Sequence, residues 1–302
     1  MRIALTGATG FLGRHVAARL HEAGHVLQGW RRASSRLKTL PDPIVIDWVE
    51  GELGDHRSEA ALVSGCDALV HCALWRDADS FQQSGQDVLA FVERNVLGTL
   101  ALFEAARAAG VSRVVFVSTG AVHEKILPDR PLDENHPAWP KTHYGAHKAA
   151  IEAFVSSYGH GDDWPICALR PTAIYGIDEP LRHSHWFDLV SRIVQGEDLA
   201  VEGGGKFVHA DDVAQAISLL LEAEGIAGEA FECCDRYVSR REVADLAKQI
   251  SGSDSTIEGD VKRPQNTIAT DKLQALGMQF GGPAKLQATI ETLVQACRAN
   301  PT

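Results

Sequence analysis

The chain has 302 residues, of which 45% are hydrophobic and 23% are charged, and its formal net charge is -11. This composition is typical of a folded globular protein, and the length allows one large domain or two smaller ones. An acidic chain does not attract phosphate backbones, so nucleic acid is not an expected partner, and no apolar run approaches the roughly 20 residues that a membrane span needs.

Apolar runs and helical patterns alternate along the first part of the chain. The predicted strands lie at 2–6, 25–30, 44–46, 68–72, 113–118 and 166–169. The predicted helices lie at 11–23, 57–63, 86–109 and 144–158. This alternation predicts an α/β fold with a Rossmann-type, doubly wound parallel sheet and right-handed crossovers.

The alternation loosens after Pro171. Helices are predicted at 186–195, 211–222, 239–251 and 285–298, with one strand at 229–233. We predict a dinucleotide-binding domain and a smaller C-terminal substrate-binding region. The first is predicted at 1–175 with 206–235 returning to it, and the second at 176–205 and 236–302. Because ligands of doubly wound sheets bind at the carboxyl ends of the strands, we expect the smaller region to cover the substrate pocket.

A glycine-rich turn joins the first predicted strand to the first helix, and it reads GATGFLG. The first glycine permits a turn with positive φ, the second lets backbone approach a pyrophosphate, and the third lets the helix pack closely on the strand. A helix that begins here would direct its free N–H groups at that pyrophosphate. The residues predicted to hold the cofactor in this turn are Gly7, Thr9, Gly10, Phe11, Leu12 and Gly13.

The end of the second predicted strand indicates which dinucleotide binds. Enzymes that use NAD place an acidic residue there for the ribose 2′-hydroxyl, whereas this chain has Arg31 and Arg32, followed by Ser34 and Ser35. Guanidinium groups present forked donors that suit a 2′-phosphate. The sequence therefore predicts NADP as the preferred cofactor, with NAD as the alternative.

A second cluster of chemistry-bearing residues follows the fifth predicted strand. Ser118 and Thr119 come at the end of that strand, and Tyr144 and Lys148 lie four residues apart on one face of the next helix. A nearby ammonium favours the phenolate, so we expect Lys148 to lower the pKa of Tyr144 for acid–base work. A hydroxyl at the strand end can orient the substrate oxygen toward Tyr144.

These motifs, in this order, resemble the short-chain dehydrogenase/reductase superfamily, and more closely its extended branch, the NAD(P)-dependent epimerase/dehydratase family. The resemblance spans nearly the whole chain. It implies that Tyr144 is the catalytic acid/base, that Lys148 holds the nicotinamide ribose, and that Thr119 supplies the catalytic hydroxyl with Ser118 as the near alternative. It also implies cofactor contacts at Glu52, Leu53, Cys72, Ala73, Asn95, Pro171 and Ala173.

The resulting functional prediction is an NAD(P)-dependent oxidoreductase that acts on a carbonyl or secondary alcohol. One alternative is a nucleotide-sugar epimerase with transient hydride transfer. In the family, dehydratases place Asp-Glu after the catalytic threonine, where this chain has Gly120 and Ala121, so dehydration is not expected. A non-catalytic nucleotide-sensing regulator is the other alternative, which the presence of both Tyr144 and Lys148 disfavours.

The remaining predictions concern metals, assembly and location. His183 and His185 resemble half a metal site, but no companion cluster is evident, so no metal is predicted. By the family resemblance we expect a homodimer formed by the two long helices at 86–109 and 144–158. Six cysteines without a C-x-x-C pair, and no signal-like segment, predict free thiols and a cytoplasmic location.

Overall fold

The computed structural model describes residues 1–35, 37, 40, 43–76 and 87–299. Contacts divide the chain into two units. The first unit comprises Met1–Pro171, Val213–Cys233 and Ile268–Met278, and the second comprises Thr172–Asp212, Cys234–Thr267 and Gln279–Thr302. No helix among the described residues is long and apolar enough to cross a membrane.

The first unit is built on a seven-stranded parallel sheet. Its strands are β1 (Arg2–Thr6), β2 (Val26–Arg31), β3 (Ile46–Glu50), β4 (Ala68–His71), β5 (Arg113–Val117), β6 (Ile166–Pro171) and β10 (Ala230–Cys233). They lie side by side in the order β10-β6-β5-β4-β1-β2-β3. Its helices are α1 (Phe11–Glu22), α2 (His56–Val63), α3 (Val88–Val92), α4 (Gly98–Ala108), α5 (His143–Ser156), α7 (Ala210–Glu222) and α9 (Asp271–Gln274). The predicted Rossmann-type fold is confirmed.

One hydrophobic cluster joins α2, α4 and α5 to the sheet. Leu62, Phe103 and Ile151 contribute one fully buried side chain from each helix, and Phe116 of β5 packs edge-on against Phe103. Burying a large apolar side chain contributes about 1.5–3 kcal/mol, so this layer holds α5 firmly on the sheet. The position of α5 matters because it carries Tyr144 and Lys148.

The second unit contains two small sheets and three helices. Strands β7 (Ala173–Tyr175), β9 (Gly204–His209) and β11 (Arg236–Ser239) form one sheet, and β8 (Leu199–Ala200) pairs with β12 (Ile257–Glu258). Its helices are α6 (Phe187–Val194), α8 (Arg240–Ser251) and α10 (Gly282–Ala299), which share one buried apolar cluster.

The structure corrects several predicted boundaries. The third strand runs over Ile46–Glu50 rather than 44–46, because its alternating residues pair in register with β2 at the sheet edge. The predicted domain boundary at 175 and the predicted return at 206 also differ from the structure. Strands β7 and β9 pair with each other outside the seven-stranded sheet, so the first unit ends at Pro171 and resumes at Val213.

The long helix predicted at 86–109 is interrupted. The described part consists of α3, a wider π turn at Glu93–Leu97, and α4, while the predicted start at 86 lies outside the described residues. The turn carries the buried Asn95, whose amide donates to the Phe91 carbonyl at 3.1 Å. Single π turns often occur at functional sites.

Candidate active site

The glycine turn after β1 has the close geometry that its spacing predicts. Gly7 adopts a φ of 72°, and the Gly10 amide donates to the Gly7 carbonyl at 2.9 Å. A Cβ added at Gly13 would lie 2.0 Å from the Gly7 carbonyl oxygen, so only glycine fits there. The turn therefore brings the start of α1 directly against the end of β1.

The N-terminus of α1 is open for an anion. No side chain caps the helix at Gly10, and its first turn contains no acidic residue. The unpaired N–H groups and the helix dipole at such an end favour a phosphate. The residues present therefore fit the pyrophosphate of a dinucleotide, and Phe11 and Leu12 would offer their backbone amides to it.

A buried network fixes the floor of this cradle. The Thr6 hydroxyl accepts hydrogen bonds from the amides of Cys72 and Ala73, both at 3.1 Å, and so donates its own proton to His71 Nδ1 at 2.7 Å. The other ring nitrogen of His71 donates to the Thr99 hydroxyl at 2.9 Å. Burial, and then the charge of Lys148, hold the pKa of His71 well below its usual value, so this histidine is neutral.

The roles of Thr6 and Thr99 were missed by sequence reasoning. Thr6 is the single polar residue at the end of an apolar strand, and this is the signal that could have indicated it. Together with His71, these hydroxyls set the backbone at Cys72 and Ala73, which a Cβ at Gly7 would contact at 3.0 Å. The predicted cofactor residues of β1 and β4 thus lie side by side.

Asn95 acts on the loop after β4. Its side-chain oxygen accepts from the Trp75 amide at 2.8 Å, and its side-chain nitrogen donates to the Trp75 carbonyl at 2.9 Å. Asn95 is buried, and these two hydrogen bonds and the one to the Phe91 carbonyl all go to backbone atoms. In this structure it shapes the loop that follows Ala73.

The residues predicted to bind the adenosine half lie at the ends of β2 and β3. Arg31 and Arg32 are both exposed, and the Arg32 amide donates to the Ser35 hydroxyl at 2.9 Å. The Glu52 carboxylate is paired with Arg94 at 3.2 Å, while Leu53 is buried. The two guanidinium groups are therefore accessible to a ligand, whereas Glu52 already has a cationic partner.

Side-chain caps fix the two segments of the chain that carry Thr119 and Tyr144. The Thr119 hydroxyl accepts from the Ala121 amide at 3.2 Å and opens a short 3₁₀ turn at Gly120–His123. The Thr142 hydroxyl caps α5 by accepting from the Gly145 amide at 3.1 Å. Glu124 accepts from the Thr142 amide at 2.9 Å, which places a carboxylate at the positive end of the helix that carries Tyr144.

Lys148 is anchored below Tyr144. Its ammonium donates to the Val117 carbonyl at 2.7 Å and lies 4.5 Å above the Phe116 ring. Burial lowers the pKa of Lys148 to about 8, although Cys72 and Glu152 oppose this shift. The proximity of Cys72 links the ammonium to the cofactor cradle.

The structure corrects the expectation that Lys148 lowers the pKa of Tyr144. Burial raises the pKa of the Tyr144 phenol, and a hydrogen bond with the Thr119 side chain opposes the rise. Desolvation of the phenolate thus outweighs any stabilisation by the ammonium in the protein alone. The same hydrogen bond places the Thr119 and Tyr144 side chains next to each other.

The three other predicted site residues near these strand ends have different surroundings. Ser118 is buried and its hydroxyl donates to the Glu152 carboxylate rather than standing free for a substrate. Pro171 ends β6, one residue after Arg170, which is bound to the same carboxylate. Ala173 begins β7 in the second unit.

A cavity of about 420 Å³ in the first unit is lined by Glu152, Arg170 and Lys272, among others, but by none of the candidate catalytic or glycine-turn residues. The described residues contain no group of three or more side chains that could hold a metal ion. His185 packs against the rings of Trp186 and Phe207 in the second unit. The candidate active site is thus defined by the strand ends and α5.

The parallel sheet and the glycine turn at the start of α1 define a nucleotide-binding protein of the Rossmann type. The chain belongs to the NAD dependent epimerase/dehydratase family, whose model matches residues 3–234. The predicted family and the predicted enzymatic class are therefore confirmed.

Known relatives of this chain include nucleotide-sugar dehydratases and epimerases. The chain is similar to a mouse dTDP-D-glucose 4,6-dehydratase, with 27% identity over 91% of this chain and 83% of the relative. It is also similar to a UDP-glucose 4-epimerase of Streptomyces lividans, with 26% identity over 82% of this chain and 80% of the relative. The crystal structure of the Thermus thermophilus UDP-glucose 4-epimerase complex with NAD matches with a TM-score of 0.77, 25% identity and 99% coverage of both chains.

Proposed function

We propose that this protein transfers a hydride between a nicotinamide dinucleotide and a carbonyl or secondary-alcohol carbon of a small, sugar-type substrate. The contact of Thr119 with Tyr144, one helical turn from Lys148, carries this proposal. When bound, the nicotinamide would accept a hydride from the carbon that bears the hydroxyl, and return it in the reverse direction.

The side chains of this chain would handle the proton and the oxygen. Tyr144 takes the hydroxyl proton of the substrate during oxidation and returns it to the oxygen during reduction. Thr119 donates a hydrogen bond to that oxygen and orients it. Lys148 uses one of its three N–H donors on the Val117 carbonyl, which leaves two for ribose hydroxyls.

We retain NADP as the preferred cofactor within this proposal. Its support is the exposure of Arg31 and Arg32 at the end of β2, a strand that itself contains no acidic residue. The titration of NAD and NADP into the protein tests this preference. Tighter binding of NAD, unchanged by Arg31→Ala, would contradict it.

The second candidate is epimerisation of a nucleotide sugar, in which the hydride is borrowed and returned. The similarity to UDP-glucose 4-epimerases favours this candidate. The stretch after Thr119 also favours it over dehydration, because Gly120 and Ala121 cannot supply the second acid and base that loss of water requires.

We also propose a homodimer formed by α3, α4 and α5. Leu89 on α3 is 77% exposed, Leu97 at the end of the π turn before α4 is 58% exposed, and Phe154 on α5 is 43% exposed. Apolar side chains of this size on neighbouring helices suit a second copy of the same surface. Light scattering tests this, with Phe154→Arg expected to shift the protein toward monomer.

A cytoplasmic location remains part of the proposal. None of the six cysteines forms a disulfide, and five of them are buried, which suits a reducing compartment. Fractionation of cells that express the protein would test it, and recovery of the protein outside the cytoplasm would contradict it.

Incubation with NAD or NADP and a panel of ketones, aldehydes and nucleotide sugars tests the function. Nuclear magnetic resonance of the products separates the two candidates. Net reduction of a carbonyl with consumption of reduced cofactor supports the oxidoreductase, and inversion of a sugar carbon without net consumption supports the epimerase. A product that has lost water would contradict the assignment made from Gly120 and Ala121.

A further inference from the structure

Four ionisable side chains from four elements meet inside the first unit, and we call them the buried charge cluster. They are His123 of the 3₁₀ turn, Glu152 of α5, Arg170 of β6 and Glu232 of β10. None of these side chains is more than 9% exposed. At this depth an uncompensated charge is strongly unfavourable, so the charges of the four groups must balance.

Arg170 is the centre of the cluster. Its Nη2 donates to Glu152 Oε2 at 2.7 Å and its Nη1 to Glu232 Oε1 at 3.0 Å. Burial lowers the pKa of Arg170, but the hydrogen bonds and charges of the two carboxylates raise this pKa by more than burial lowers it. The guanidinium therefore keeps its charge. Among these side chains, one cation and two carboxylates leave one negative charge in excess. The Lys148 ammonium, whose pKa Glu152 raises, donates to the Val117 carbonyl and to neither of these carboxylates.

His123 lies where that charge can be cancelled. Its Nε2 is 2.8 Å from Glu232 Oε1, and its Nδ1 is 3.3 Å from the Pro137 carbonyl oxygen. Both ring nitrogens face oxygen acceptors, so both carry a proton, and the Nε2 proton lies between the ring and the Glu232 carboxylate. Arg170 Nη1 lies 3.1 Å from Nε2 and donates to the same Glu232 oxygen. The second oxygen of Glu232 has no hydrogen-bond partner, so neutralisation has to come through Oε1.

Other polar groups around the cluster do not supply this proton. The Ser118 hydroxyl donates to Glu152, and the Glu134 carboxylate accepts from the Glu232 amide at 3.0 Å. The His136 ring meets the His123 ring edge-on at 5.2 Å, while its nitrogens lie near the Leu127 amide and the Pro137 carbonyl. His123 is thus the group that faces the Glu232 oxygen together with Arg170.

We propose that His123 and Glu232 share one proton, which neutralises the buried charge cluster and lets the cluster position Thr119 and Tyr144. His123 ends the short turn that Thr119 opens, and Glu152 lies one helical turn beyond Lys148 on α5. The cluster therefore ties together both elements that carry the candidate catalytic residues. This positioning role rests on the proposed function, whereas the shared proton does not.

Three variants test the shared proton through urea unfolding. His123→Gln leaves one excess buried charge, whereas Glu232→Gln and the double variant leave none. The double variant should therefore have a higher unfolding midpoint than His123→Gln alone. If His123 only fills space, the addition of Glu232→Gln should lower the unfolding midpoint further. A double variant whose midpoint equals that of His123→Gln, or lies below it, overturns the proposal. Glu229→Gln, which breaks a partly exposed pair with Lys272 outside the cluster, is the matched control.

Turnover tests the positioning role. We expect His123→Gln to lower kcat about tenfold or more while KM changes by less than about threefold, because misplacement of reacting groups affects the chemical step. The double variant should recover most of kcat. Equal kcat in all variants, or a kcat that does not recover, overturns the positioning role. If the unsubstituted protein shows no turnover, the proposed function fails, and the unfolding comparison still decides on the shared proton.

Discussion

In the first unit's sheet, different interactions stabilise the ends of β1 and β4 and the ends of β5, β6 and β10. At β1 and β4, the cradle depends on glycine backbone and on hydroxyl groups around the neutral His71. At β5, β6 and β10, the candidate catalytic side depends on charged groups around Arg170. Neutral hydrogen bonds keep the same geometry over a wide pH range, whereas a charge cluster requires its protons to stay in place.

This contrast indicates how the work of the site is divided. The cradle has to hold a cofactor in one place, and close packing achieves this without charged side chains. Under the proposed function, the catalytic side supports proton movement at Tyr144, and there the ionic groups set the local electrostatics. Substitutions in the two halves should consequently fail in different ways.

Tyr144→Phe should produce the largest effect on turnover. The variant keeps the ring but loses the proton that acid–base catalysis requires, so we expect kcat to fall about 10³-fold. Cofactor affinity, measured by fluorescence quenching, should change by less than about threefold, because the cradle is untouched. Unchanged turnover in this variant would refute the role of Tyr144.

Gly13→Ala should break the cradle. The added Cβ would lie 2.0 Å from the Gly7 carbonyl oxygen, so the turn must open. We expect loss of about 1–3 kcal/mol of unfolding free energy from overpacking, together with loss of measurable cofactor binding. Gly161→Ala is the control, since nothing lies within 4 Å of a Cβ there. Cofactor binding equal to that of the control would mean that the cradle is not the binding site.

Thr6→Val should have a smaller effect on the same half. It removes the acceptor for two amides and the donor to His71, which leaves buried polar groups unpaired at about 1–3 kcal/mol. Thr99→Val removes a single bond to the same ring and should cost less. Chemical denaturation measures both. A larger loss in Thr99→Val would show that the network is wrongly assigned.

Lys148 should give an effect that appears only when the pH is varied, a dependence of stability on pH. Its pKa falls from 10.5 to about 8 on burial, so between these values the unfolded chain binds the extra proton. The unfavourable contribution of Lys148 is complete below about pH 8 and disappears toward about pH 10.5. Relative to Lys148→Met, the unsubstituted protein should gain stability over this range. A difference that stays constant with pH would contradict the shift.

The sequence predicted what local spacing encodes. The glycine turn lies within one continuous stretch of sequence, and so does the pair Tyr144 and Lys148. In the structure the turn joins β1 to α1, and the pair lies on α5. The buried charge cluster was not predictable in this way, because Arg170 and Glu232 become neighbours only when β6 pairs with β10. The pKa of Tyr144 was predicted in the wrong direction, since burial is a property of the folded protein.

The second unit was harder to predict for a related reason. Its strands are short, and β7 follows β6 after a single residue, so the pattern gave no sign of a new sheet. The predicted division at 175 therefore fell four residues after the observed one at Pro171. Hydrophobic periodicity needs several residues before it can distinguish one element from the next.

Hydride transfer is the central claim, and rapid mixing tests it most directly. Protein loaded with oxidised cofactor is mixed with a nucleotide sugar, and the absorbance of reduced nicotinamide is followed through a single turnover. We predict that reduced nicotinamide forms in the unsubstituted protein, and that Tyr144→Phe with the same cofactor bound forms it far more slowly. Product formation without any reduced nicotinamide, or the same rate in both proteins, would contradict the account.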